Sequence, residues 1–118
     1  MPTVCELVDA DIPADVDGIS FLPTLTKKLA NQSDQKQHAY LYWELRGQQA
    51  LRMGDWKLYR RIGKQGKINE HLFNLKDDLA EEKNLAESHP DKLDELIGIA
   101  ASARFDSPLF PTPYDSSK

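Results

Sequence analysis

Apolar and polar residues alternate most cleanly over residues 38–45. Ala39, Leu41, Trp43 and Leu45 fall on one side of an extended chain, and His38, Tyr40, Tyr42 and Glu44 on the other. Two further strand-like runs, 49–53 and 56–62, flank Gly54-Asp55. A two-residue Gly-Asp loop suits a tight hairpin, because glycine takes positive φ without steric cost. Pairing across it sets Met53 against Trp56, Arg52 against Lys57 and Leu51 against Leu58, so Leu51, Met53, Trp56 and Leu58 share one face. Arg46-Gly47-Gln48 forms the turn ahead of this hairpin, and 63–67 is an exposed loop. Residues 71–75 make a fourth strand, with Phe73 and Leu75 inward.

The period changes over 90–104. Leu93, Leu96, Ile97 and Ala100 recur at helical spacing, Pro90 suits the first helical position, and Asp91, Asp94 and Glu95 favour the positive end of the helix. Near the chain start, residues 2–8 suit a short helix with Val4, Leu7 and Val8 as its apolar stripe. A second helical piece follows Ser20, anchored by Phe21, Leu22, Leu25 and Leu29. Residues 9–17 read as loop and 31–37 as a polar connector. Pro108, Pro111 and Pro113 keep 105–118 out of helix and central strand, so Leu109, Phe110 and Tyr114 suggest a tail lying extended on a surface. The predicted fold class is α+β: a small antiparallel sheet of about four strands with the C-terminal helix packed on one face, formed by Ala39, Leu41, Trp43, Leu51, Trp56 and Leu58. The predicted segments are 1–30, the connector 31–37, the sheet-and-helix body 38–104 and the tail 105–118.

Composition narrows the function classes. With 118 residues, 40% hydrophobic and 29% charged, there is room for one small soluble-type domain. A net charge of −4 argues against a nucleic-acid or anionic-membrane partner. No apolar run approaches the ~20 residues of a membrane span, and Met1 leads straight into Pro2-Thr3 with no visible signal peptide. The single cysteine excludes an internal disulfide framework, and Cys5 reads as a small buried apolar residue.

Candidate chemistry is sparse. Asp77, Asp78, Glu81 and Glu82 are the densest acidic group, but the loop pattern of a calcium site is absent. A solvated turn, with Asp78 capping a short helix, accounts for them. His38, His71 and His89 have no metal-ligand spacing. Asn31-Gln32-Ser33 matches a glycosylation sequon by a pattern loose enough to arise by chance. Tyr40, Tyr42, Glu44, Arg52, Lys57 and Tyr59 are expected to share the second face of the sheet. Arg52 opposite Lys57 is a like-charge pair that needs an acid nearby, and Glu44 is the natural candidate.

Several blocks together resemble the C-terminal region of the arylsulfatase family. QALRMGDWKLYRR resembles its Ala-x-Arg-x-Gly-x-Trp-Lys hairpin. HLFNLKDDLAEEKNLAESHP resembles its Leu-Tyr/Phe-x-Leu strand and Asp-Pro-x-Glu-x-x-Asn-Leu turn, with Leu79 where the family usually has proline. HAYLYWEL resembles its Tyr-x-Tyr/Phe-Trp-Glu strand, and MPTVCELVDADIPADVDGISFLPTL its Pro-Thr helix and Asp-Gly-x-Ser element. The resemblance runs from Pro2 to Arg104. It implies a parent sulfuric-ester hydrolase, in the alkaline phosphatase-like superfamily, that uses formylglycine and calcium and is exported. Formylglycine needs a Cys/Ser-x-Pro/Ala-x-Arg motif, whereas Cys5 is followed by Glu6-Leu7-Val8. The chain is therefore expected to lack the catalytic domain and its cofactors, to be inactive alone, and to start artificially at Met1.

By the same resemblance, Glu44, Arg46 and Gln48 are substrate-cleft candidates. Tyr40, Tyr42, Arg52 and Tyr59 are candidates for the face that meets the catalytic domain and through which an isolated chain self-associates. A solvated, charge-balanced face remains the other reading of those residues. Two other functions stay open: a free-standing protein-interaction module, and a piece of a related phosphoesterase.

Overall fold

Proline occupies one of the first two positions of each α-helix among the described residues: α1 (Pro2–Leu7), α2 (Leu22–Leu25) and α3 (Pro90–Ala103). Its missing N–H costs nothing there. The computed structural model describes residues 1–26, 35–106, 108–109, 111–112 and 114. The sequon Asn31-Gln32-Ser33, Leu29 and Phe110 lie outside the described residues. Two compact units divide the chain, 1–38 and 39–118.

In the first unit the Thr3 hydroxyl accepts from the Phe21 N–H at 3.2 Å, and Gln35 bridges the Thr24 hydroxyl and the Ser20 carbonyl. Pro2 and Cys5 are buried. The expected stripe of α1 is not: Val4, Leu7 and Val8 are all exposed.

The second unit is one antiparallel sheet under α3. Its strands, β1 (Leu41–Leu45), β2 (Gln48–Met53), β3 (Trp56–Ile62) and β4 (Ile68–Asn74), lie in the order β1-β2-β3-β4. The four-stranded α+β architecture is the expected one. β2 and β3 pair as the sequence implies, Met53 with Trp56, Arg52 with Lys57 and Leu51 with Leu58, with Gly54 at φ 58°.

The turn before them differs. Read from the sequence it takes three residues, 46–48, but it closes in two. Leu45 pairs with Gln48 while Arg46 and Gly47 stand at φ 50° and 73°. Positive φ at both central residues marks a type I′ turn, whose twist matches the strands it joins. One residue fewer in the loop turns every β1 side chain to the opposite face. Tyr42 now lies opposite Leu51, and Glu44 opposite Gln49, on the helix side. Leu41, Trp43 and Leu45 join Arg52, Lys57 and Tyr59 on the other side. The expected core residues Leu41 and Trp43 are 41% and 52% exposed.

β4 is corrected in the same way. It begins at Ile68 opposite Ile62, which sets Leu72 opposite Leu58. Leu72, not Phe73, is the inward residue. Phe73 is buried on the far side, stacked on His71 at 6.1 Å.

The core is a row across the strands, Leu51, Leu58 and Leu72, closed by Leu96 and Ala100 of α3, all fully buried. Leu93 and Ile97 pack beside them, so the helical stripe is the one the spacing predicts. Asn84 seals part of the β4 edge. Its Oδ1 accepts from the Leu72 N–H at 2.9 Å, and the next N–H, of Leu85, donates to the Leu72 carbonyl at 2.7 Å.

Two glycines test this description. Gly98 is exposed in α3, and a Cβ there meets nothing within 4 Å. Gly98→Ala is expected to raise stability by about 0.5–1 kcal/mol in a urea titration. At Gly47 a Cβ would sit 3.0 Å from Ile62 Cδ1 at positive φ. Gly47→Ala is expected to lower stability by about 1–2 kcal/mol in the same titration.

Candidate functional site

One row of the sheet is polar on the helix side: Glu44, Gln49, Arg60 and Glu70 stand opposite one another across all four strands. Burial makes unpaired groups there costly, so each must find a partner. Gln49, 2% exposed, joins the two halves. Its Nε2 donates to the Tyr42 hydroxyl (3.1 Å) and Glu44 Oε2 (3.4 Å), and its Oε1 accepts from Arg60 Nη1 (3.1 Å). Arg60 Nε also binds Glu70 at 3.1 Å, and its guanidinium lies 5.0 Å from the Tyr114 ring centre. The Tyr114 hydroxyl donates to the Gly47 carbonyl at 3.1 Å, tying the tail to the β1–β2 turn.

Glu44 is the hub. Tyr42 donates to its Oε2 at 2.5 Å, and Arg104 Nε, from the end of α3, at 2.8 Å. Burial pushes the Glu44 pKa up, but the hydrogen bonds from Tyr42, Arg104 and Gln49 outweigh it and hold the carboxyl below its ordinary 4.5. Burial, with the Glu44 bond and charge, pushes the Tyr42 phenol far up. The Arg104 side chain, 6% exposed, also binds Asp106 and the Thr112 hydroxyl.

Beside this hub opens a cleft of about 820 Å³, lined by Glu44, Arg46, Arg104, Phe105, Pro111 and Thr112 among others. Arg104 is paired with both Glu44 and Asp106, and Arg46 is the other charged residue that lines the cleft. Arg46 is exposed and makes no hydrogen bond or ion pair among the described residues.

The predicted site residues separate. Glu44 and Arg46 meet at the cleft. Gln48 lies on the other face, its Oε1 accepting from the Tyr59 hydroxyl at 2.7 Å. The expected shared face of Tyr40, Tyr42, Glu44, Arg52 and Tyr59 is also divided by the β1 flip. Tyr42 and Glu44 take the helix side, Arg52 and Tyr59 remain on the other, and Tyr40 precedes the strand. The acid that offsets Lys57 is Glu81 at 2.5 Å, not Glu44, while Arg52 donates to the Gly54 carbonyl. Sequence reasoning missed Arg104, Phe105, Gln49 and Arg60. The first two follow the helical stripe without a pattern of their own, and Gln49 and Arg60 show only through the strand register.

Among the described residues no three of His, Cys, Asp and Glu come together in a way that could hold a metal ion. The donors present do not fit a calcium and formylglycine centre. Asp78 instead binds the chain itself, accepting from the N–H groups of Lys83 and Glu82. Those two bonds hold its carboxyl below the ordinary range. A turn follows it, not the expected helix.

The chain is 34% identical to an uncharacterized sulfatase of Schizosaccharomyces pombe, over 82% of this chain and 19% of that protein. The chain belongs to the sulfatase family, as its C-terminal subdomain. No family model matches it. Its fold recurs in a Bacteroides thetaiotaomicron protein described with glycosaminoglycan metabolism (24% identity, TM-score 0.63, 86% of this chain and 23% of that one). It recurs again in a protein solved with its substrate D-glucosamine-2-N,6-O-disulfate (18% identity, TM-score 0.62, 99% and 24%). The sulfatase subdomain thus spans about a fifth to a quarter of the proteins it matches. Among its described residues no helix is long and apolar enough to cross a membrane.

Glu44→Gln in the subdomain is expected to cost about 1–2 kcal/mol, since it removes one of the two carboxylates paired with the buried Arg104 and leaves Asp106 as the other. Because the folded-state pKa of Glu44 is lowered, its contribution is complete above the unfolded pKa, near 4.5, and is lost as pH falls through the folded value. Thermal melts from pH 6 down to about pH 3 should therefore fall less steeply for Glu44→Gln than for the wild type. Parallel curves would contradict the assignment.

Proposed function

We propose that this sulfatase subdomain completes a sulfuric-ester hydrolase in two ways. It packs against the catalytic portion through the sheet face bearing Leu41, Trp43, Leu45, Arg52 and Tyr59. At the β1–β2 turn it forms one wall of the substrate cleft. Ester cleavage, by formylglycine and a divalent cation, lies outside this chain. The subdomain supplies binding and support.

Arg46 carries the cleft reading. A non-glycine residue at φ 50° is held in a region that costs about 1–2 kcal/mol relative to ordinary backbone. Strain of that kind persists where surroundings enforce it, and it collects at ligand sites. The type I′ turn that pairs β1 with β2 imposes this φ, and it sets Arg46 at the lining of the cleft with no ion pair among the described residues. A guanidinium offers paired N–H donors suited to an oxyanion such as a sulfate ester. Glu44 then acts indirectly: it fixes Arg104 and the turn, and does not touch substrate.

The docking reading rests on the three exposed apolar residues of β1, an edge strand. Strand residues on this face include arginines and a lysine but no carboxylate, which suits a surface carrying acids among apolar groups. A free-standing interaction module would use the same face. It would not need the strained Arg46.

Arg46→Gly separates these functions in a polypeptide that joins this subdomain to a sulfatase catalytic portion. Relief of positive-φ strain should raise stability by about 1 kcal/mol. Loss of the guanidinium should lower kcat/KM for a sulfate ester by about 10–100-fold. Unchanged kcat/KM would remove Arg46 from the cleft.

A further inference from the structure

We infer that Tyr114 is a positioning residue for the cleft: its hydroxyl fixes the β1–β2 turn and thereby sets where Arg46 stands. The inference rests on the reading of Arg46 given above and adds what holds that residue in place.

Arg46 lies between two points that the end of the chain fastens. On one side is Glu44, two positions earlier, whose Oε2 accepts from Arg104 Nε at 2.8 Å. On the other is Gly47, whose carbonyl accepts from the Tyr114 hydroxyl at 3.1 Å. The two points are also joined to each other. Arg104 Nη2 donates to the Thr112 hydroxyl at 3.0 Å, and that same oxygen accepts from the Tyr114 N–H at 3.3 Å. Glu44, Arg104, Thr112, Tyr114 and Gly47 thus form a ring of bonds, and the short stretch of chain that closes it carries Arg46.

The Gly47 end of this ring bears on the turn most directly. A carbonyl oxygen has two lone pairs, and both are used here. The Ile62 N–H donates to it at 3.0 Å from the end of β3, and Tyr114 takes the second place. Two donors from different parts of the chain fix the peptide plane after Gly47 better than one. The restraint matters because Arg46 at φ 50° is strained, and a looser turn would let it relax and carry the side chain away. Tyr114 is anchored in its turn. Its ring lies 5.0 Å from the Arg60 guanidinium, which Gln49 and Glu70 hold. A cation aimed at a ligand acts through its placement, so the group that places it acts on the same step.

Tyr114→Phe tests this, because it keeps the ring beside Arg60 and removes the hydroxyl alone. The first measurement is amide hydrogen exchange by NMR on the 118-residue chain. Gln48, which closes the turn against Leu45, and Ile62, which shares the Gly47 carbonyl, report on the turn, and Leu58 reports on the core. The variant is expected to exchange about fivefold faster at Gln48 and Ile62 with Leu58 unchanged. A purely global loss of stability would move all three together, and that result, or no change at all, would overturn the inference. The second measurement is kcat/KM for a sulfate ester in a polypeptide joining this subdomain to a sulfatase catalytic portion. Tyr114→Phe is expected to lower it about threefold to tenfold, and to have no further effect once Arg46→Gly is present. Equal losses in both backgrounds would show that Tyr114 does not act through Arg46. If Arg46→Gly lowers kcat/KM and Tyr114→Phe leaves it unchanged, the positioning role is wrong and the cleft reading stands. If Arg46→Gly leaves kcat/KM unchanged, both are wrong.

Discussion

The two-residue closure between β1 and β2 decides which side of the sheet every β1 side chain occupies. With Arg46 and Gly47 both at positive φ, Leu45 faces Gln48, and the alternation of the strand does the rest. Tyr42 falls into the row of Leu51, Leu58 and Leu72, and Glu44 into the row of Gln49, Arg60 and Glu70. The first row is the core that α3 covers. The second is the polar band that carries the hub of the cleft. A three-residue turn would place Trp43 and Leu45 under the helix and send Glu44 away from Arg104.

The polar band survives burial because it is closed on itself. Glu44 Oε2 accepts from Tyr42, Gln49 and Arg104; Gln49 hands the network on to Arg60; Glu70 ends it. Each group is a donor or acceptor with a partner, so desolvation is offset along the row. The same contacts extend into the tail. Arg104 reaches Thr112, and the Tyr114 hydroxyl reaches the Gly47 carbonyl, so the tail and the β1–β2 turn are fastened to one another across the cleft. A chain segment that composition marks only as proline-rich thereby becomes a wall.

Much of the architecture was legible from local chemistry. The Gly54-Asp55 hairpin, its pairs and the α3 stripe follow from turn preference and from periods of two and 3.6. The faces of β1 were not legible, because Arg46-Gly47-Gln48 reads equally well as a loop of two or three residues and the amphipathic pattern favoured the wrong choice. Leu41, Trp43 and Leu45 look like core residues, yet they are exposed. The helix side instead holds a tyrosine, bound to Glu44 and Gln49 nearby, and a glutamate that also takes Arg104 from far along the chain. Glu44 and Arg46, named through resemblance, line one cleft, while the strand register puts Gln48 on the other face. Arg104 gains its place from a contact that joins positions sixty residues apart, which no local pattern records.

Apolar residues left exposed on β1, a cation at positive φ with no ion pair among the described residues, and a match to about a fifth to a quarter of each relative all fit a part that works joined to a larger whole. The most direct test is a structure of this subdomain joined to a sulfatase catalytic portion with a sulfated ligand bound. The account predicts the Arg46 guanidinium within hydrogen-bonding reach of the ligand, about 3 Å, and Leu41, Trp43 and Leu45 covered by the catalytic portion. Arg46 pointing into solvent with the ligand held entirely by other residues would contradict it.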